Sequence, residues 1–114
     1  MKGFEMIMEE RIRILKDFEK NKDKYLDNIK RVAMKYNGIA KLFGSFLEKD
    51  KFFGGSDVDV LVFIPGIQKN KKLKWKVIRE LKESVNNNPR FEFHVVDEGM
   101  YRMYLKLVKK FKEL

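Results

Sequence analysis

The stretch that decides the fold runs from Ser56 to Phe63 and reads SDVDVLVF. Its apolar run is strand-length and β-branched, and the side chains of a strand alternate between two faces. Asp57 and Asp59 are therefore predicted on one face and the valines on the other. Neighbouring carboxylates repel each other, and the hard cations Mg²⁺ and Mn²⁺ prefer such oxygen ligands. The stretch predicts a buried strand with a metal site on its open face, although aspartate at a strand start also serves as a turn residue.

A third carboxylate follows from the segment FEFHVV at residues 91–96. Glu92 lies between two phenylalanines that must face the core, so its own side chain is predicted on the open face, with the aspartate pair. Asp97 has the opposite parity and is explained by helix capping. Glu92 is therefore preferred as the third metal ligand. His94 shares the face of Glu92, where it either touches a bound phosphate or has a structural role.

A phosphate-binding turn is predicted at Gly44-Ser45, directly after the apolar strand 39–43 and before a helical turn at 46–50. Glycine lets a phosphate approach the backbone, and serine adds a hydroxyl donor. A plain turn between strand and helix is the alternative. Only the acidic residues that follow Gly44-Ser45 favour the phosphate-binding interpretation.

The remaining pattern predicts one α/β (α+β) domain over residues 1–114. Residues 1–38 have helical periodicity, as two helices or as one helix broken at 21–24. Residues 39–97 form the motif-bearing core, with a helix at 70–85 between its last two strands. Residues 98–114 are predicted to form a C-terminal helix.

Composition excludes several classes of site. The chain of 114 residues has no cysteine and one histidine, which excludes disulfides, thiolate metal sites and multi-histidine sites. Its net charge of +9 favours acidic partners such as nucleotides or RNA, unless the lysines merely solvate the surface. The longest apolar runs are far shorter than a membrane span, so a soluble, cytoplasmic protein is expected.

Taken together, these motifs resemble those of the minimal nucleotidyltransferases of the DNA polymerase beta superfamily. The shared pattern is Phe43-Gly44-Ser45, a spacer of eleven residues, Asp57-Val58-Asp59, and Glu92 on a later strand. The resemblance covers about residues 39–97. It implies a polymerase-beta-like fold, a small mixed sheet with helices packed on one face.

The resemblance also implies the roles of the site residues. Gly44 and Ser45 would hold the triphosphate of ATP, and Asp57 and Asp59 would bind two Mg²⁺ or Mn²⁺ ions. Glu92 would bind the ion that activates the attacking hydroxyl. The chain has Phe46 where many members of the family have an arginine. The phosphate contact is then either missing or supplied by Lys49 or Lys51 in the following loop. Ser56 is also predicted to bind the nucleotide.

The expected reaction is transfer of AMP from ATP to a hydroxyl acceptor. By resemblance, the acceptor is a helical partner protein of the HEPN type, in a toxin–antitoxin pair in which this chain is the antitoxin. A domain of this size cannot enclose a large acceptor alone. The alternatives are a non-catalytic module that binds nucleotide or partner, and an RNA-binding domain. The second alternative leaves the three carboxylates unexplained, since they would repel a phosphate backbone.

Overall fold

The computed structural model describes residues 2–47 and 57–114, with the backbone alone at residues 2, 45 and 46. In this part of the chain a single mixed sheet has the strand order β3-β2-β1-β4. Strand β2 pairs antiparallel with β1 and parallel with β3, and β4 pairs antiparallel with β1. The strands are β1 (Ile39–Phe43), β2 (Val58–Phe63), β3 (Phe91–Val96) and β4 (Lys112–Glu113). The predicted small mixed sheet is confirmed.

The same residues form three α-helices and two short 3₁₀ turns. The helices are α1 (Lys2–Lys35), α2 (Lys71–Ser84) and α3 (Glu98–Leu107), and the turns are Gly44–Leu47 and Ile67–Lys69. The Asn70 side chain caps α2 by accepting a hydrogen bond from the Leu73 amide, and the Asp97 side chain caps α3 through the Met100 amide. None of the described helices combines the length and apolarity needed to cross a bilayer.

The N-terminal helix is continuous, without the break that the polar stretch at 21–24 suggested. That stretch has neither proline nor glycine, so the helical hydrogen bonds can continue through it. Its first side chain, Asn21, donates to Asp17 one turn earlier at 3.0 Å. A polar segment inside a helix is thus satisfied locally and does not require a helix end.

The prediction of a C-terminal helix to residue 114 is wrong beyond Leu107. The apolar spacing of Tyr104, Val108 and Phe111 suggested continued helix, but Val108 is extended, with φ −99° and ψ 128°. The chain then turns back and β4 pairs with β1, with Lys112 opposite Leu42. This path still brings the Phe111 ring to 5.9 Å from Phe43, while Tyr104 reaches the same ring at 5.7 Å. Because β4 pairs with the free edge of β1, the apolar spacing is accounted for and does not require a helix.

The core lies between one face of the sheet and the two long helices. Val58, Val60 and Val62 are fully buried on this face, as the alternation predicted. From α1, the rings of Phe18 and Tyr25 pack on Phe91 of β3 at 5.6 and 5.9 Å. Helix α2 adds Val77 and Leu81 to the same cluster.

The opposite face carries Asp59, Leu61 and Phe63 on β2, and α3 reaches over part of it. The Tyr101 ring stacks on Phe63 at 4.5 Å, and Tyr104 contacts Phe43. The long helices thus cover one face of the sheet, as predicted, and the short helix α3 packs against part of the other face. Asp59 and Glu92 lie on this other face, at the end of the sheet where β2 and β3 begin.

Candidate metal-binding and catalytic site

Asp59 stands at the centre of the acidic end of the sheet. It is the second residue of β2, paired with Phe43 on β1 and with Glu92 on β3. Its side chain is 24% exposed, because strands flank it on both sides. The backbone of Asp59 is therefore paired with strands on both sides, while its carboxylate remains partly exposed to solvent.

Glu92 lies directly beside Asp59 in the parallel pairing of β2 and β3. Side chains of directly paired residues project on the same face of a sheet, so the predicted face of Glu92 is confirmed. Its side chain is 58% exposed, which leaves the carboxylate free to bind a ligand from solvent. Asp97 instead caps α3, as its parity predicted.

The third member of this group is His94, two residues beyond Glu92 on the same strand. Its Nε2 atom lies 3.2 Å from Asp59 Oδ1 and 3.9 Å from Glu92 Oε1. One ligand atom from each of Asp59, Glu92 and His94 lies within 4.8 Å of the other two. The sequence placed His94 on the right face but did not single it out as a ligand. Its i, i+2 spacing from Glu92 was the signal that could have done so.

Gly44 closes the site on the side of β1. It has a φ of +80°, and a Cβ atom at this position would lie 2.5 Å from Asp59 Oδ2. Only a residue without a side chain fits there, because that distance is shorter than any ordinary contact. Glycine at position 44 therefore allows the backbone of this turn to approach the Asp59 carboxylate.

Asp57 is placed differently from Asp59. It is exposed, precedes β2, and is not part of the group formed by Asp59, Glu92 and His94. Its charge acts on Arg90, a residue that is 5% exposed and whose guanidinium lies 4.1 Å above the Phe18 ring. Burial lowers the pKa of Arg90, and the negative charges of Glu19 and Asp57 raise it. Besides its predicted ligand role, Asp57 therefore has an electrostatic effect on a buried cation of the fold.

The other residues predicted to bind nucleotide cannot be placed in the site. The side chain of Ser45, and all of Lys49, Lys51 and Ser56, lie outside the residues that the structure describes, as does the side chain of Phe46, which replaces the family's arginine. Gly44 is the one predicted phosphate contact whose surroundings are described in full.

The donor set fits a divalent cation. Two carboxylates and one imidazole nitrogen converge, and together they form an acidic site in a chain of net charge +9. Carboxylates suit hard cations, whereas imidazole extends the range to transition-metal ions. The Gly44 backbone lies close to Asp59 Oδ2 on the β1 side of this group.

Comparison with solved structures places this arrangement in a known fold. One similar protein, provisionally described as a nucleotidyltransferase, superposes with a TM-score of 0.62 at 23% identity, over 78% of this chain and 96% of its own. A second, from Sulfolobus solfataricus and described in the same provisional way, has a TM-score of 0.51 at 22% identity, over 93% of this chain and 83% of its own. The chain has a nucleotidyltransferase fold. No protein-family model and no curated protein matches the sequence.

Within this nucleotidyltransferase fold, the first comparison spans nearly the whole of the other protein. The likeness therefore concerns the domain as a whole and is not limited to a shared βαβ unit.

Proposed function

We propose that the protein is a metal-dependent nucleotidyltransferase of the cytoplasm that transfers a nucleoside monophosphate, AMP from ATP, to a hydroxyl acceptor. The observation that carries the proposal is the direct pairing of Asp59 with Glu92 beside Gly44. An RNA-binding domain would have no use for adjacent carboxylates on an accessible sheet face, because they repel phosphate. A nucleotidyltransferase needs them.

Each of these residues has a separate proposed role. Asp59 and Glu92, with Asp57 as the proposed further ligand, would hold Mg²⁺ or Mn²⁺. Bound divalent cations supply positive charge to the attacking and leaving oxygens of an in-line displacement. Asp59 is fixed by pairing on both sides and would hold the cation that binds the α-phosphate, while the more exposed Glu92 would hold the cation on the side of the acceptor hydroxyl.

The nucleotide would lie along the β1 side of Asp59. We assign the triphosphate to the backbone of Gly44 and Ser45, because glycine at position 44 lets the backbone of this turn approach Asp59 more closely than a residue with a Cβ atom could. In the reaction the acceptor hydroxyl oxygen forms a bond to the α-phosphorus and releases its proton to solvent. The bond from the α-phosphorus to the bridging oxygen breaks, and that oxygen leaves with pyrophosphate. The site contributes charge and position more than acid or base groups.

The acceptor is proposed to be a helical partner protein, of the HEPN type that the sequence resemblance implies, with this chain as its antitoxin. The support is the exposed start of α1, where Phe4, Ile7 and Met8 face solvent. Ile7 precedes the buried residues Phe18 and Tyr25 by eleven and eighteen positions, or about three and five helical turns. The apolar stripe that packs on the sheet thus continues beyond it, and such a stripe suits packing against another helix.

A labelling experiment tests the transfer. The purified chain is incubated with ATP labelled at the α-phosphate, Mg²⁺ or Mn²⁺, and an extract of its native source. Label is expected in a macromolecule, destroyed by proteinase for a protein acceptor or by ribonuclease for RNA, and Asp59→Asn should abolish it. Efficient labelling of a free small molecule would contradict the macromolecular acceptor. Metal-dependent ATP binding without any transfer would favour a non-catalytic binding module.

A further inference from the structure

The position of the His94 side chain is not explained by its neighbours on β3 or by packing in the core. It is the one histidine of the chain, and its side chain is 25% exposed. Its Nε2 atom points into the space between Asp59 Oδ1, at 3.2 Å, and Glu92 Oε1, at 3.9 Å. A ring nitrogen between two carboxylates is either a hydrogen-bond donor to them or a fellow ligand of a cation that all three bind.

The far side of the imidazole ring shows how it is oriented. The Tyr104 hydroxyl lies 3.3 Å from His94 Nδ1, and the Phe43 ring packs against the imidazole at a centroid distance of 5.2 Å. Metal-binding histidines characteristically have their second nitrogen hydrogen-bonded to an outer group, which fixes the tautomer and the ring orientation. If Nδ1 carries the proton and donates it to Tyr104 Oη, the Nε2 lone pair faces Asp59 and Glu92.

We propose that His94 Nε2 is a direct metal ligand together with Asp59 and Glu92, so that this site prefers a first-row transition-metal ion, with Mn²⁺ as the ion to test, over Mg²⁺. Mg²⁺ is bound through oxygen and retains several waters, and it gains little from an imidazole. Transition-metal ions accept nitrogen and carboxylate ligands together. The proposal rests on the proposed function only for what the metal does, since metal binding is measurable without nucleotide.

The single histidine makes the bond directly observable. In the full-length chain labelled with ¹⁵N, the imidazole resonances belong to His94 alone. With ¹¹³Cd²⁺ as the probe, a direct bond is expected to produce a resolved scalar coupling between cadmium and Nε2. Asp59→Asn should remove the bound-cadmium signal. Cadmium that is bound through Asp59 but shows no coupling to Nε2 would overturn the proposal.

Metal selectivity provides the second measurement. His94→Ala should raise the Kd for Mn²⁺ about tenfold or more and change the Kd for Mg²⁺ by less than about threefold. Tyr104→Phe removes the outer hydroxyl and should produce a smaller rise for Mn²⁺. Tyr101→Phe is its matched control, since Tyr101 stacks on Phe63 one turn earlier in α3 and should leave both constants unchanged.

The outcomes separate this inference from the proposed function. If His94→Ala binds Mn²⁺ like the parent chain while Asp59→Asn does not, His94 is not a ligand and the proposed metal site stands without it. If the parent chain binds neither Mn²⁺ nor Mg²⁺, the metal site fails and the proposed function fails with it. Circular dichroism of each variant establishes that it is folded before either conclusion is drawn.

Discussion

Gly44 and Asp59 approach each other so closely that a methyl group on residue 44 would lie 2.5 Å from the carboxylate oxygen Oδ2. Gly44→Ala should therefore displace Asp59 and weaken metal binding. It should also destabilise the chain by about 1–3 kcal/mol, because a side chain is strained at a φ of +80°. Mn²⁺ titration and urea unfolding measure the two effects.

Gly66→Ala is the matched control for this variant. Gly66 has a similar φ, +70°, but nothing lies within 4 Å of its Cβ position. It should lose a comparable amount of stability and keep the metal affinity of the parent chain. Equal metal affinity in the two variants would show that the space beside Asp59 is not used for binding.

Asp59→Asn and Asp57→Asn are both expected to remove metal-dependent ATP binding. Calorimetric titration of ATP into each folded variant, with Mg²⁺ or Mn²⁺, tests this. An affinity equal to that of the parent chain would have a different meaning for each variant, because the Asp57 charge also acts on the buried Arg90. Parent-like affinity in Asp57→Asn would restrict Asp57 to that electrostatic effect, and parent-like affinity in Asp59→Asn would refute the site.

Glu92→Gln should retain ATP binding and lose transfer. A hundredfold drop in rate corresponds to about 2.7 kcal/mol of transition-state stabilisation. Asp97→Asn is the control, since the Asp97 side chain accepts a hydrogen bond from the Met100 amide and caps α3 away from Asp59. If transfer survives in Glu92→Gln and disappears in Asp97→Asn, the third carboxylate is Asp97 and not Glu92.

Stability should fall on acidification through a group outside the site. A hydrogen bond from Asn88, followed by those from Tyr25 and Asn21, lowers the pKa of Asp17 below its usual value of 3.8. A carboxyl group whose pKa is lower in the folded state stabilises the fold above its unfolded pKa, and this contribution disappears as the pH falls through the folded pKa. The free energy of unfolding should therefore decrease below about pH 4, within the range of the unfolded pKa.

Asp17→Asn tests the origin of this pH dependence. Urea unfolding at several pH values should show a shallower loss of stability between neutral and acidic pH than in the parent chain. Asp27→Asn is a suitable control, because Asp27 forms an exposed pair with Arg31 on the same helix. An identical pH profile for the parent chain and Asp17→Asn would contradict the assignment.

The strands were the most predictable part of the fold. The bounds of β1 and β3 agree with those expected. Strand β2 begins at Val58, one residue after the start at Asp57 that the alternation predicted. Alternation and glycine are local signals, and here the tertiary structure agrees with them. They also predicted that Glu92 and Asp59 share a face, which the strand register confirms.

What the sequence could not supply depends on distant contacts. Strand β4 exists because β1 has a free edge, and no pattern within residues 108–114 contains that information. The orientation of His94 depends on the Tyr104 hydroxyl, which α3 delivers from ten residues away. The ligand roles of Asp57, Asp59 and Glu92 remain predictions, and those of Lys49 and Ser56 concern residues that the structure does not describe.

Strand β2 is paired on both sides, while α3 lies over the sheet as a short helix without a fully buried residue. The amide hydrogens of β2 should thus exchange with deuterium only through global unfolding, and those of α3 through cheaper local opening. Asp59 then stays in position while the segment carrying Tyr104 detaches and returns. The position of Asp59 is thus fixed on the timescale of the folded state, whereas the hydroxyl beside His94 is withdrawn each time α3 opens.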